Sequence, residues 1–290
     1  MADSEVQDAV EVLVQAFAAN VASAVSKLMF HPMERVQIIL QTQDADPKIA
    51  SGTVARYRGI MHVCQRVARE NGIGALYRGS SAVLLAAVFP SRIVKSILVD
   101  SWTEQMQENS IALLTARAAS GLLSLALVYP LDFARIRLCA DVGTADGYEF
   151  RGPWDCLSRT VRRSGIRSIF SGFGVSLAGI LVYRVAFGTV MGLVFPSEGA
   201  TAQYVVAMSS VAVAGVVAYP FDTVRKRLIV GAGAKEPAYS GAVDCFVQTA
   251  RREGLGGFWK GVSISVLNGI GGMVLLVGYQ LLAEAGEGGQ

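Results

Sequence analysis

Charge is scarce in this chain. Of 290 residues only 17% are Asp, Glu, Lys or Arg, while 52% are apolar and mean hydropathy is +0.43. Soluble domains carry roughly 25% charge, so this balance favours a membrane protein. Histidine is nearly absent, with two in the chain, and the four cysteines (Cys64, Cys139, Cys156, Cys245) show no Cys-x2-Cys pairing. Those absences, with no nucleophile motif in view, argue against a metal site and against an enzyme; the thiols read as reduced groups at packed positions. Lys and Arg are missing altogether from both termini and from alternate connections, which hold only acids: Asp3, Glu5, Asp8, Asp100, Glu104, Glu108, Glu198, Glu284 and Glu287. The acidic start is the reverse of an Arg-rich transit peptide, so targeting is expected to be internal.

Long uncharged stretches are what the chain does have. Thr201 to Tyr219 and Val262 to Leu282 carry no charge, and Val10 to Phe30, Ser80 to Val99, Ile111 to Tyr129 and Phe173 to Val194 carry one or two charges each. Each is about long enough to cross ~30 Å of hydrocarbon as a helix. Helix is the economical choice, because a lone lipid-exposed strand leaves backbone groups unpaired. Six spans result. Of the 26 Lys and Arg, seven fall in each of 34–79, 132–172 and 222–261; the remaining five (Lys27, Arg92, Lys95, Arg117, Arg184) lie inside spans. The positive-inside rule then puts the three basic segments on one side and both termini on the other, as an even number of spans requires. Basic residues at membrane edges also argue against nucleic-acid binding.

The basic segments repeat a pattern. An apolar run ends in Pro-x-acid at Pro32-Met33-Glu34, Pro130-Leu131-Asp132 and Pro220-Phe221-Asp222. A comb of glycines follows at Gly59, Gly72 and Gly79, at Gly152, Gly165 and Gly172, and at Gly241, Gly254 and Gly261. The comb spacing is 13 then 7 in all three copies, whereas the distance from proline to first glycine varies as 27, 22 and 21. The chain is therefore an internal triplicate, one domain over 1–290 with repeats at about 10–105, 108–197 and 200–285.

One repeat can be read physically. The first span is expected to end and kink at proline. In repeats two and three the acid and a cation stand three apart, so both face one side of the following helical turn. Three such helices could close a ring of links between repeats: Glu34 to Arg135, Asp132 to Arg225, and Asp222 to position 37. Position 37 is Gln37, so the third link can only be a hydrogen bond. Between the first and second comb glycines the pattern is that of a surface helix on the membrane. The third glycine follows an aromatic-basic pair at Tyr77-Arg78 and Trp259-Lys260, and Phe170-Ser171 in repeat two. It opens the next span, and its bare amides suit an anionic lipid headgroup. The lipid-binding set expected on this reading is Gly72, Arg78, Gly79, Gly165, Gly172, Gly254, Lys260 and Gly261.

These residues resemble the mitochondrial carrier family, whose three repeats each open with Pro-x-Asp/Glu-x-x-Lys/Arg and later carry Asp/Glu-Gly-x4-aromatic-Lys/Arg-Gly. The likeness spans about residues 12 to 282. Repeat three has Glu253-Gly254 in the family's form, repeat one has Glu70-Asn71-Gly72, and repeat two has Ser164-Gly165 without the acid. Within the family the text is most similar to the ADP/ATP carriers, through Pro32-Met33-Glu34-Arg35-Val36, through Tyr129 to Leu138, and through Gly179-Ile180 followed by Tyr183-Arg184. The resemblance implies an all-α membrane protein with six transmembrane helices in three pseudo-threefold repeats. It further implies an inner-membrane location with termini toward the intermembrane space, bound cardiolipin but no other cofactor, and ADP/ATP exchange by alternating access around a central cationic site. On the residues that match, substrate contacts would be Lys27, Gly179, Ile180, Tyr183 and Arg184, and the matrix gate Glu34, Gln37, Asp132, Arg135, Asp222 and Arg225.

The departures are specific. The family's phosphate arginines on the second and sixth helices are Ala87 and Asn268 here, its fifth-helix serine is Ala218, and its run of three arginines and three methionines is Arg225-Lys226-Arg227-Leu228-Ile229-Val230. The opposite gate retains one acid, Asp100, and no base. Arg92 and Lys95, three apart on one helix face, are candidates to replace the lost arginines, since polyphosphate needs several cations. The alternative reading is a carrier-fold protein that no longer transports and serves as a structural subunit of a larger inner-membrane complex of the respiratory chain or ATP synthase.

Overall fold

The computed structural model describes residues 25–88, 110–143, 147–194, 200–234 and 238–269. They form helices joined by turns. Each basic segment has the same local order. A long helix carries the proline in its interior: α1 over residues 25–42, α4 over Ser110–Ala140 and α7 over Ala200–Gly231. A 12-residue surface helix follows: α2 over Ile60–Asn71, α5 over Pro153–Ser164 and α8 over Ala242–Glu253. A five-residue 3-10 turn then leads into the next span, over Ile73–Tyr77, Ile166–Phe170 and Leu255–Trp259. Those spans are α3 over Ser80–Val88, α6 over Phe173–Val194 and α9 over residues 262–269. The proline where each apolar span ends lies inside its helix: Pro130 and Pro220 are interior, and helix runs on through the acid and cation to Ala140 and Gly231. Proline forfeits one hydrogen bond but does not break a helix whose neighbours hold it.

The comb glycines bound the surface helices, and the chemistry at each end explains why. Gly59, Gly152 and Gly241 are the N-caps and offer no side chain. The residue three further on reaches back in compensation. Asp155 accepts from the Arg151 amide at 2.9 Å, Asp244 from the Ser240 amide at 2.9 Å, and His62 Nδ1 from the Arg58 amide at 3.2 Å. The bond is like the backward half of a capping box, made to the residue before the cap where the cap itself is glycine. Those backbone bonds help hold the Asp155 carboxyl below its ordinary range, while the Gln248 side chain is the larger cause for Asp244. At the other end Gly72, Gly165 and Gly254 take φ of 82°, 79° and 70° with extended ψ, a conformation that breaks the helix and favours glycine.

By compactness the chain forms two units, Met1–Pro32 with Tyr77–Phe170, and Met33–Leu76 with Ser171–Gln290. The second contains α6 packed along α7, and beneath them a cluster of Val175, Val224, Cys245 and Phe258 with Phe221 and Phe246 against it. Phe246 meets Phe221 edge-on at 5.6 Å and Phe258 at 5.6 Å. Among the described residues, two helical stretches are long and apolar enough to cross a membrane, Ile166–Leu193 and Val206–Gly231, with mean hydropathy 1.7 and 1.3. Their sides are largely unburied within the protein, as lipid-facing helices require.

Candidate functional site

Two residues in each repeat act as fasteners, one to the repeat's own end and one to the next repeat. The residue before the proline is buried in all three: His31, Tyr129 and Tyr219. Each packs on the turn before its own third comb glycine. His31 Nε2 donates to the Arg78 carbonyl at 3.1 Å, Tyr219 Oη donates to the Lys260 carbonyl at 3.0 Å, and the Tyr129 ring stacks on Phe170 at 5.9 Å. The residue before the third glycine points its side chain at the next repeat. Arg78 donates to Asp141 at 2.8 Å, Ser171 to the Leu228 carbonyl at 3.2 Å, and Lys260 to Asp44 at 2.8 Å. Arg78 also donates to the Phe150 carbonyl and lies 3.6 Å over the Tyr148 ring. The third glycine is where the crossing is tightest. A Cβ on Gly79 would stand 2.7 Å from Cys139 Sγ, and one on Gly261 3.3 Å from Gln37 Cγ.

The residues expected to hold lipid are thus partly engaged within the protein. Arg78 and Lys260 spend their charge on acids of the following repeat. The amides of Gly72 and Gly165 donate to the Ala68 and Val161 carbonyls and close their own helices. Gly79 and Gly261, with φ of 95° and 80°, stand at the start of the next span, as does Gly172 at 79°.

An ionic cluster that the sequence does not announce lies in the second unit. Arg227 is fully buried. It donates to both carboxylate oxygens of Glu253, to Thr249 Oγ1 at 2.9 Å and to the Gln41 carbonyl at 3.0 Å. Lys260 reaches Glu253 at 2.5 Å as well as Asp44. Burial alone would raise the Glu253 pKa, but the hydrogen bonds from Arg227 and Lys260 outweigh it and hold the carboxyl down to about 2. The triple basic run at 225–227 was a signal for Arg227; nothing near Asp44 in sequence signals its role.

The gate residues divide between the units. The expected links Glu34 to Arg135 and Asp132 to Arg225 each take one residue from either unit; the third lies within the second unit. There Gln37 Nε2 donates to Tyr219 Oη at 3.1 Å and Ser265 Oγ at 2.7 Å. Asp222 lies 2.6 Å from Lys226 Nζ and 3.9 Å from Arg225 on its own helix. The Asp222 bond expected of Gln37 is replaced by these partners. Asp132 sits 3.6 Å from Arg135.

Within the second unit, a cavity of about 510 Å³ opens between α6, α7 and α9. Tyr183, Ser209, Tyr219, Asp222 and Ser265 supply its polar groups, and Val211, Val216, Val262 and Val266 part of its walls. Ala218, in the slot of the family's serine, lines it too. Tyr183 stacks on Phe187 at 6.3 Å. Gly179 lets α6 approach α7: a Cβ there would stand 3.0 Å from Phe221 Cβ. Ile180 and Arg184 are exposed on α6, and Lys27 is exposed on α1. Arg92, Lys95 and Asp100 lie outside the described residues. All four cysteines are free thiols. Burial pushes Cys156 and Cys245 on the surface helices up to about 11, so they stay inert. Among the described residues no His, Cys, Asp and Glu group could hold a metal.

The comparisons with known proteins agree with this triplicate plan. The family model described as mitochondrial carrier protein matches three times, over residues 8–110, 106–193 and 197–285. The ADP,ATP carrier protein of Parachlorella kessleri is 41% identical over 278 residues, covering 90% of this chain and 81% of the relative. ADP/ATP translocase 2 of Tachyglossus aculeatus aculeatus is 38% identical over 90% of this chain and 93% of its own length. The Dictyostelium discoideum protein named mitochondrial substrate carrier family protein ancA is 36% identical over 96% and 95%. With three matched repeats, six spans legible in its text and helical connections between them, the chain belongs to the mitochondrial carrier family and has its all-α, threefold fold.

Proposed function

We propose that this protein exchanges ADP for ATP across the mitochondrial inner membrane by alternating access, with its termini toward the intermembrane space. The observation that carries the reading is the cavity beside α6. Its volume of about 510 Å³ falls within the ~300–1,000 Å³ of ligand pockets. It is lined by Tyr183 of the Gly179-Ile180-Tyr183-Arg184 group, and relatives named as ADP/ATP carriers are 35–41% identical. An apolar wall with a few convergent polar groups suits a nucleobase and sugar. The phosphates need cations, and Lys27, Arg184, Arg92 and Lys95 are the proposed suppliers, replacing arginines absent at Ala87 and Asn268. Cardiolipin is the proposed bound lipid, at the amides of Gly79, Gly172 and Gly261.

Exchange of labelled ADP by the purified protein in cardiolipin-containing liposomes tests this. The expected result is exchange that Lys27→Ala or Arg184→Ala reduces by roughly 10- to 100-fold, the loss of one or two charge-assisted contacts to phosphate. Folded protein that exchanges no nucleotide or phosphate would overturn the reading and leave a carrier fold in a structural role.

A further inference from the structure

The geometry points to a displaced fastening between repeats one and three: Lys226 and Gln41 close the basic-segment side one helical turn beyond the position where the repeat pattern puts the link. In that pattern Asp222 would take a cation from position 37 of repeat one. Position 37 is Gln37, whose amide donates to Tyr219 and Ser265, 182 and 228 residues away. Asp222 is instead met by Lys226, four residues along its own helix, at 2.6 Å. That lysine is the bridge. Its Nζ also donates to Gln41 Oε1 at 2.8 Å, and Gln41 belongs to repeat one.

Gln41 is held for this purpose. It is fully buried, and its Nε2 donates to Thr223 Oγ1 at 3.2 Å. Thr223 in turn donates to the Phe258 carbonyl at 2.7 Å, and Arg227 Nε reaches the Gln41 carbonyl at 3.0 Å. The amide can therefore present only its oxygen to Lys226, which has three donors and no acceptor. A charged donor on a fixed, buried acceptor is among the stronger hydrogen bonds. The chain Asp222–Lys226–Gln41 thus links α7 to α1 with one lysine where the pattern would use an ion pair. Lys226 and Gln41 are positioning residues: nothing in the geometry brings them to a transported solute.

The role in gating rests on the exchange reading above, whereas the fastening itself does not. The experiment is a double-mutant cycle on the purified protein, read as thermal unfolding in detergent and as ADP exchange in liposomes. Lys226→Met and Gln41→Ala should each lower Tm by about 3 °C, the scale of one lost charge-assisted bond in a chain of this size. The double variant should fall no further than the larger single one. Gln37→Lys, which returns a cation from repeat one to Asp222, should restore Tm in the Lys226→Met background. It should also restore an exchange rate that Lys226→Met lowers about tenfold. Where Lys226→Met does not fold, Lys226→Gln, which keeps a donor for Gln41, takes its place in the cycle. Additive losses, or failure of Gln37→Lys to restore Tm, would overturn the proposal. A wild-type protein that exchanges nothing while the cycle couples would sink the transport reading and leave the fastening standing.

Discussion

Arg137 and Arg227 occupy the same slot, seven residues after the proline of repeats two and three, and meet different fates. Arg227 has Glu253 waiting at the end of its surface helix and donates to both carboxylate oxygens. In repeat two the acid slot is Ser164, so Arg137 turns elsewhere. It lies 4.0 Å from Glu149, which is part-exposed, and 5.1 Å from the Phe150 ring. The lesson is about burial. Arg227 is fully enclosed with its donors met by Glu253, Thr249 and the Gln41 carbonyl. Arg137 keeps 7% exposure.

The largest expected effect follows directly. Glu253→Gln removes the carboxylate that takes both forks of the buried Arg227, leaving only Asp44 at 3.6 Å, and should cost about 3 kcal/mol, the lower end of the usual penalty for breaking a buried pair. Glu149→Gln at the looser site should cost less than about 1 kcal/mol. Thermal unfolding of the two variants in detergent checks both, and equal losses would break the contrast. Acid is the next lever. The folded Glu253 pKa of about 2 lies below the ordinary value of 4.5. Its contribution to stability is therefore complete above pH ~4.5 and is lost as pH falls toward 2. The acid limb of the wild-type stability curve should be steeper across that window than that of Glu253→Gln, and superimposable limbs would mean that Glu253 is not held down in the native state.

A contact of intermediate size lies at the Arg78 turn. Arg78 stands over Tyr148 at 3.6 Å while paired with Asp141, whose side chain is 1% exposed. Tyr148→Leu keeps the apolar cover and removes the ring face, so it should cost about 1 kcal/mol. Lys260, in the corresponding slot of repeat three, relies on two carboxylates, Asp44 and Glu253. Asp44→Asn should cost less than Glu253→Gln, because Glu253 remains for both cations. Unfolding midpoints rank the three variants.

Much of the fold was legible because the repeat is written in glycine. Gly72, Gly165 and Gly254 stop the surface helices at φ values that other residues adopt reluctantly. The spacing therefore fixes helix length without any need for tertiary knowledge. The six residues between the second and third comb glycines are different. They carry no period that separates a 3-10 turn from the start of a span, and the turn lies between two glycines of positive φ. Proline was legible as the end of the apolar span rather than of the helix: α4 and α7 run through Pro130 and Pro220, while Tyr129 and Tyr219 beside them pack on the turns of their own repeats. The site was legible only where it was local. Gln37 announced a neutral link, but its partners Tyr219 and Ser265 come from the far end of the chain. Asp44 sits in a loop of variable length, outside the repeated grammar, so nothing marked it as the anion for Lys260.

The smallest expected effect sharpens the opening contrast by trying to erase it. Ser164→Glu writes the missing acid into repeat two, one residue before Gly165, in the slot of Glu253. Two forces act on it. A carboxylate in the last turn of a helix meets the negative end of the macrodipole and two neighbouring cations, Arg162 and Arg163. Against that dipole stands the chance to fork onto Arg137, which would have to leave Glu149 and the Phe150 ring. Ser164 is exposed where Glu253 is enclosed, so the new pair would form in water and gain at most about 1 kcal/mol. If Ser164→Glu stabilises by that much and Glu149→Gln becomes silent in its background, the acid alone accounts for the difference between the repeats. If Ser164→Glu is neutral and Glu149→Gln keeps its cost, the difference lies in enclosure. The enclosure of Arg227 beside Cys245 and Thr249 would then be what makes a carboxylate worth having at that slot.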